Sequence, residues 1–356
     1  MNKLTFLTAL LLTLPMIGFA QNVNIPDATF KAYLVGNAAI NTNGDNEIQV
    51  NEASAFNGTI NCVGMNISTL TGIEAFTSLT NLDCFSNQLT SLDVSGCTAL
   101  TSLSCSQNYL LTSLDVSTCT ALTDLSCDDN QLTSLDVSFC TALTALYCEG
   151  NQLTSLDVSS CTALTTLYCH SNQLTSLDVS ANTALNTLHC YGNQLTSLDL
   201  SSCTALNVLH CHVNQLTSLN VNNGNNNNMV FFGANNNPNL SCIEVDNAAW
   251  SNTNWAFDID PTASFSENCS GAGFSDINES NTLMLYPNPT NGDFTITGLG
   301  LLGTVSSLIL TDMNVKAVKF LDTKATKFSM GSIKPGVYFL NIRSGNKQEV
   351  LKIVKE

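Results

Sequence analysis

Apolar and polar positions recur in one fixed phrase through the middle of the chain. The segment Ser91-Leu92-Asp93-Val94-Ser95-Gly96-Cys97-Thr98-Ala99-Leu100 returns with little change at Ser113, Ser134, Ser155, Ser176 and Ser197. The spacing is 21 residues with an occasional 22, read from Asn87, Asn108, Asn130, Asn151, Asn172, Asn193 and Asn214, and a degenerate copy ends at Asn235. Each unit reads L-x-x-L-x-C-x-x-N-Q-L-T-S-L-D-V-S-x-C-T-A. In Leu103-Ser104-Cys105-Ser106 apolar and polar residues alternate, which predicts a short parallel strand with Leu103 and Cys105 inward and Ser104 and Ser106 outward. One unit cannot bury its own leucines. Stacking units at the ~4.8 Å strand spacing gives them a shared, continuous core.

The period and the L-x-x-L-x-C-x-x-N-x-L core resemble the leucine-rich repeat, over about residues 60–240. The resemblance implies a repeat solenoid poor in helix, with parallel strands lining a concave face. The repeats are assigned to residues 60–236.

Composition narrows the function. Among 356 residues, 11 Lys plus Arg stand against 28 Asp plus Glu, a net charge of −17. That balance argues against nucleic acid or an anionic membrane surface as partner. Charged residues are 11% of the chain, well below the roughly 25% of ordinary domains, so Ser, Thr and Asn carry the polarity. The sign of the charge also changes along the chain. Residues 21–280 hold 23 acids and one base, Lys31, whereas residues 281–356 hold 5 acids and 9 bases. The C-terminal part is thus a separate object. At the other end, residues 1–20 read as a secretory signal, with Lys3, an apolar run around Leu10–Leu14 and Gly18-Phe19-Ala20 as a small-residue cleavage site. That run is too short to span a bilayer, and no other stretch approaches the roughly 18 apolar residues needed. The expected mature protein is exported and has no transmembrane segment.

Fifteen cysteines in an exported chain suggest a disulfide framework, but their columns say otherwise. Cys62, Cys84, Cys105, Cys127, Cys148, Cys169, Cys190 and Cys211 fall at the inward strand position, with Phe232 aligned as the next member. A position that accepts Phe is a packing position. The second column, Cys97, Cys119, Cys140, Cys161 and Cys203, is interrupted by Asn182, which suggests a turn-stabilising role. Only Cys242 and Cys269 lie outside both columns; a disulfide between them and two free thiols are both open readings.

Before the repeats, residues 21–59 form a predicted cap. Ile25 to Leu34 reads as a short helix with Pro26 preceding it. The following Asn41-Thr42-Asn43-Gly44-Asp45-Asn46-Glu47-Ile48, with Glu52 at the twelfth position, resembles an EF-hand loop. The resemblance implies calcium held by Asn41, Asn43, Asp45 and Glu52. Asn41 replaces the usual first Asp and Asn46 the turn Gly, so the rival reading is a polar turn that covers the first coil. Apart from calcium, no cofactor is implied. Residues 237–270 are expected to cap the other end, with Trp250 and Trp255 covering exposed leucines, and residues 271–284 read as a Gly/Ser/Asn linker.

Residues 285–356 resemble the C-terminal sorting domain of the type IX secretion system. The matching residues are Leu285-Tyr286-Pro287-Asn288-Pro289-Thr290, Gly292-Asp293-Phe294, Gly336-Val337-Tyr338-Phe339-Leu340 and the terminal Val350 to Lys355. Alternating stretches such as Phe294-Thr295-Ile296 predict a small β-sandwich. The resemblance implies engagement with the secretion machinery of a Gram-negative bacterium, and release from or attachment to its outer-membrane surface.

Invariant columns report folding, so ligand chemistry is sought where the coils differ. Between the inward Leu and Cys the outward residue runs Asp83, Ser104, Ser126, Tyr147, Tyr168, His189, His210, Phe231. After the Cys it runs Phe85, Ser106, Asp128, Glu149, His170, Tyr191, His212, Gly233. All four histidines fall on this face. The candidate ligand-binding set is Tyr147, Glu149, Tyr168, His170, His189, Tyr191, His210, His212 and Phe231, a platform suited to a protein or glycan ligand. The rival is a cross-strand ladder that only reinforces the sheet. A metal shared by His189, His210 and His212 lacks an outward carboxylate clearly placed to complete it. The column Asp93, Asp115, Asp136, Asp157, Asp178 and Asp199 reads as turn capping, with a cation ladder as the rival reading. Neither G-x-S-x-G nor H-E-x-x-H occurs. The sequence therefore points to a non-enzymatic binding protein, with a structural matrix component and, behind it, a hydrolase as the other readings.

Overall fold

The computed structural model describes residues 21–269 and 283–356, apart from 287, 289, 303, 313–315 and 345–346. The expected signal segment and residues 271–282 of the expected linker lie outside the described residues. The chain divides into two compact units, residues 1–270 and 271–356.

The first unit is a parallel solenoid. Nine three-residue strands, from Thr59–Asn61 to Phe231–Gly233, form one sheet in chain order. A second parallel sheet joins Ser197–Asp199, Ser218–Asn220, Cys242–Glu244 and Ser264–Ser266. Registers repeat without slippage: Leu103 pairs with Leu125, Leu125 with Leu146, and Leu146 with Leu167. In the nine-stranded sheet the central residue of each strand, leucine except for Ile60 and Phe232, is buried, and with the residue two positions on, cysteine in all but the last, it forms a core that runs the length of the array.

What ends each strand is a left-handed residue followed by asparagine. Gly64, Ser86, Gln107, Asp129, Gly150, Ser171, Gly192, Val213 and Asn236 all have φ between +51° and +66°. Next to each from Ser86 onward stands the ladder asparagine, whose buried amide satisfies the carbonyls left at the turn. Asn151 Nδ2 donates to the carbonyls of Cys127 (3.0 Å), Cys148 (3.1 Å) and Glu149 (3.2 Å), and its Oδ1 accepts from Leu132 N (2.9 Å). Asn172, Asn193 and Asn214 repeat these contacts.

The last coil corrects the sequence alignment. Phe231 pairs with Val208, Phe232 with Leu209 and Gly233 with His210. Phe232 thus takes the leucine position rather than the cysteine position, and Phe231 lies two residues before the expected column, whose place Gly233 takes. Asn237, not Asn235, is the ladder residue: its Nδ2 donates to Cys211 O (3.2 Å) and Ala234 O (2.9 Å), and Leu216 N donates to its Oδ1 (3.1 Å). The coil from Asn214 to Asn237 is 23 residues long, so a fixed-period alignment slips there. Trp255 closes this end by stacking on Phe232 at 4.3 Å, with Trp250 edge-on to it at 5.1 Å.

Thirteen buried cysteines are free thiols, and burial pushes their pKa values up, Cys62 to about 12. The exchange of Cys for Asn in the second column has a local cause. Cys161 Sγ donates to Val137 O and Cys140 O, both at 3.6 Å, and one coil later Asn182 Nδ2 donates to Val158 O (3.1 Å) and Cys161 O (2.8 Å). Both side chains reach the same pair of carbonyls. Cys242 and Cys269 form a disulfide with Cα atoms 5.8 Å apart.

The second unit packs a three-stranded and a four-stranded antiparallel sheet over a core of Phe294, Ile296, Phe328, Leu308, Leu310, Leu340, Ile342 and Ile353. Asn288 fastens the final strand, donating to Lys352 O and accepting from Val354 N, both at 2.8 Å. Lys355 is buried, its Nζ held by the carbonyls of Met330 (2.6 Å), Gly331 (3.4 Å) and Ile333 (2.5 Å).

A β-branched residue is strained at positive φ, and Val213 holds φ +55° where Gly192 stands one coil earlier at +64°. Val213→Gly should stabilise the array by about 0.5–1 kcal/mol, the relieved strain exceeding the entropy cost of glycine, and Gly192→Val should destabilise it. Urea denaturation checks both signs.

Candidate functional site

On the nine-stranded sheet, the side chains that alternate with the buried leucines stand outward and half-buried. In register, Ser126 pairs with Tyr147, Tyr147 with Tyr168, Tyr168 with His189, and His189 with His210. The ~4.8 Å strand spacing brings flat side chains into ring contact. Tyr168 stacks on His189 at 4.0 Å, His189 lies tilted against His210 at 4.2 Å, and His210 stacks on Phe231 at 3.9 Å. Beside this column, His170 stacks on Tyr191 at 4.1 Å and Tyr191 on His212 at 4.5 Å. Tyr191 Oη and His170 Nε2 also share a hydrogen bond of 3.3 Å. Despite its corrected register, Phe231 terminates the first column.

Stacking consumes ring faces. Interior rings of both columns are covered on two sides and present their edges outward. Tyr147 differs: its ring is turned 75° from Tyr168 at 5.1 Å. Tyr168 already gives one face to His189, so Tyr147 meets the other with its edge and keeps its own faces free of a stacked ring.

Burial lowers the pKa of all four histidines, because a charged imidazole loses hydration there. His189 is pushed down to about 4, by burial first and then by His210, His170 and His212. Among the described residues, no three His, Cys, Asp or Glu are grouped to hold a metal ion.

The array side of Tyr147 is acidic, a feature the sequence reading passed over. Asp124, Ser126 and Asp128 alternate along one strand and its continuation, next to Ala145, Tyr147 and Glu149. Burial, with repulsion from Asp128 and Asp129, pushes Glu149 up to about 7, and its buried Oε2 accepts no hydrogen bond. Burial also raises Asp128, against the hydroxyl of Ser106, which donates to it. Gly150 leaves room for the Asp129 carboxylate, since a Cβ there would come within 2.4 Å of Asp129 Oδ1.

The aspartate column sits on the other edge. Asp93, Asp115, Asp136, Asp157, Asp178 and Asp199 each accept through Oδ1 from the N–H two residues on, at 2.9–3.0 Å. These are turn caps.

The N-terminal loop brings Asn41, Asn43, Asp45 and Glu52 together around N–H donors. Glu52 Oε1 accepts from Thr42 N, Thr42 Oγ1 and Asn43 N, and Oε2 from Gln49 N, at 2.8–3.1 Å. Burial raises the Glu52 pKa, but these bonds outweigh it and hold the group below its ordinary value. Asp45 accepts from Glu47 N (2.7 Å) and from the amides of Asn43 and Gln49 (both 3.0 Å). Asn41 Oδ1 accepts from Gly44 N at 3.0 Å. A cation entering this loop has to take its oxygens from those donors.

The coil register and the two side-chain ladders define a leucine-rich-repeat solenoid joined to an antiparallel β unit. Comparison with known families agrees: residues 141–182 match leucine-rich repeats (two copies), and residues 284–356 match the secretion system C-terminal sorting domain. The chain therefore carries leucine-rich repeats and ends in a type IX sorting domain, the mark of a bacterial protein secreted from the cell or attached to its surface through that secretion machinery. Among curated proteins, none matches the chain. Solved structures similar to it include the functional domain of InlJ from Listeria monocytogenes, described as including a cysteine ladder. It is 22% identical, with a TM-score of 0.34, over 94% of this chain and 98% of that one. InlF of the same organism is 18% identical (TM-score 0.26) over 65% and 98%, and its internalin C2 is 16% identical (TM-score 0.41) over 63% and 96%. Among the described residues, no helix is long and apolar enough to cross a membrane.

The pKa shifts make stability depend on pH in two opposed ways. His189 binds its proton more weakly folded than unfolded, so it makes stability rise with pH between about 4 and 6.5. Glu149 holds its proton more tightly folded, so it makes stability fall with pH between 4.5 and about 7. Glu149→Gln removes the second dependence. Its melting temperature should climb more steeply than the parent's from pH 4.5 to 6.5; parallel slopes would show that Glu149 titrates normally.

Proposed function

We propose that this is a ligand-capture protein displayed on, or released from, the surface of a Gram-negative bacterium, acting by binding rather than by catalysis. Its binding surface is the outward strand face of the later coils: Tyr147, Glu149, Tyr168, His170, His189, Tyr191, His210, His212 and Phe231. The observation that carries this reading is that coils nearly uniform in their buried columns diverge on this one face, and diverge toward rings. Aromatic side chains bring large contact area at low entropic cost and dominate binding hot spots.

Of the two ligand classes the sequence suggests, a protein fits better than a glycan. Sugars pack on exposed ring faces, whereas most faces here are covered by the neighbouring ring. Edges remain, and they carry Tyr hydroxyls and imidazole nitrogens that suit the polar groups of a polypeptide.

The test is a quadruple replacement of Tyr147, Tyr168, His189 and Tyr191 by Ser, with capture assayed on an array of host and bacterial surface proteins and glycans. Early coils already carry Ser104 and Ser126 in the same column, so folding should survive. The variant is expected to keep its thermal transition and lose the parent's hits. If it keeps both, the ladder is sheet reinforcement and the ligand lies elsewhere.

A further inference from the structure

We infer that the acidic end of the strand face, around Tyr147, is a docking site for an arginine-bearing segment of a protein partner. This rests on the reading of the strand face as a binding surface and adds the chemistry of what it selects.

Charge supplies the first argument. No Lys or Arg occurs between Lys31 and Lys316, and Lys31 is already paired with Glu47 at 2.7 Å. The carboxylates beside Tyr147 therefore have no cation to meet within the array. Asp124 and Asp128 stand two residues to either side of Ser126, which pairs with Tyr147, and Glu149 lies two residues beyond Tyr147. Asp124 at one end, and Asp128 with Glu149 at the other, bound a small-residue floor of Ser126 and, one coil earlier, Ser104.

The second argument is an unmet acceptor. Glu149 Oε2 is buried without a hydrogen-bond donor, the one carboxylate oxygen in that position among the described residues, where Asn182 Oδ1 and Ser251 Oγ are the other such atoms. An ionised carboxylate in that position is costly unless a donor arrives from outside. The third is the orientation of Tyr147. Its ring is edge-on to Tyr168 and carries no stacked ring of its own, in the coil that also holds Glu149. A planar guanidinium satisfies all three features: it stacks on a tyrosine face, donates in a fork to carboxylates and is more weakly hydrated than an ammonium. An anionic segment would meet Asp124, Asp128, Asp129 and Glu149 with no compensating base.

The test uses the full chain and a fluorescein-labelled twelve-residue Gly/Ser peptide carrying four Arg, against the same peptide with neutral citrulline at those positions, by fluorescence anisotropy near physiological salt. The Arg peptide should bind about tenfold more tightly, the worth of one charge-assisted contact. Glu149→Gln, Asp128→Asn and Tyr147→Ser should each weaken it about fivefold or more, and Tyr147→Phe should retain binding because the ring face remains. Asp157→Asn and Asp178→Asn remove the same charge from turn caps and should change affinity less than about twofold. Equal losses at the turn caps and at the acidic end would reduce the effect to net charge and overturn the inference. So would a citrulline peptide that binds as well as the Arg peptide. In both cases, the wider reading of the face would still stand or fall on the quadruple Ser variant, whose capture assay uses no Arg probe.

Discussion

From the second coil to Asn237, each coil of the solenoid reverses just after a three-residue strand, and the carbonyls left there accept from a single asparagine amide. That interaction sets what the rest of the molecule can be. A turn this tight would otherwise strand backbone acceptors inside an apolar core, at a cost of about 1–3 kcal/mol each. One amide serves carbonyls of its own coil and of the coil before, while its oxygen takes an N–H from the preceding coil. The ladder thus stitches neighbours together as well as closing each turn. A left-handed residue always precedes the asparagine, because only that backbone reversal aims the amide inward.

With the frame closed from within, the outward face is free to vary. Leucine, cysteine and asparagine columns fill the interior, and aspartate caps finish the far edge, so none of the face residues is needed to close a coil. The early coils use this freedom for Ser and Asp, the later ones for Tyr, His and Phe. The result is one continuous surface with a carboxylate end and a ring-stacked end, meeting at Tyr147 and Glu149. The sorting domain marks the chain for secretion or attachment at the cell surface.

Much of this was legible in the sequence because repetition makes columns visible. Strand position, the inward leucines, the buried thiols and the aspartate caps follow from a period of 21 or 22 residues with an alternation of two. Three features escaped for physical reasons. The left-handed column shows glycine only at Gly64, Gly150 and Gly192, and elsewhere the turn is forced on Ser, Gln, Asp, Val or Asn. The last coil slipped because the run of asparagines offers several false ladder positions, and only geometry selects Asn237. The acidic end escaped because Asp124 stands outside the two outward columns, and only the strand register sets it on the same face as Asp128 and Glu149. Ring orientation, which separates Tyr147 from Tyr168, has no sequence signal at all.

Amide hydrogen exchange tests the dependence on the asparagine ladder most directly. In Asn151→Ala, Leu132 N loses its acceptor and the carbonyls of Cys127, Cys148 and Glu149 lose their donor. The account predicts that protection collapses at Leu132 and falls in the coils on both sides, while the sorting unit stays protected. Unchanged protection at Leu132 and its neighbouring coils would contradict it, and would mean that leucine packing alone holds the turns.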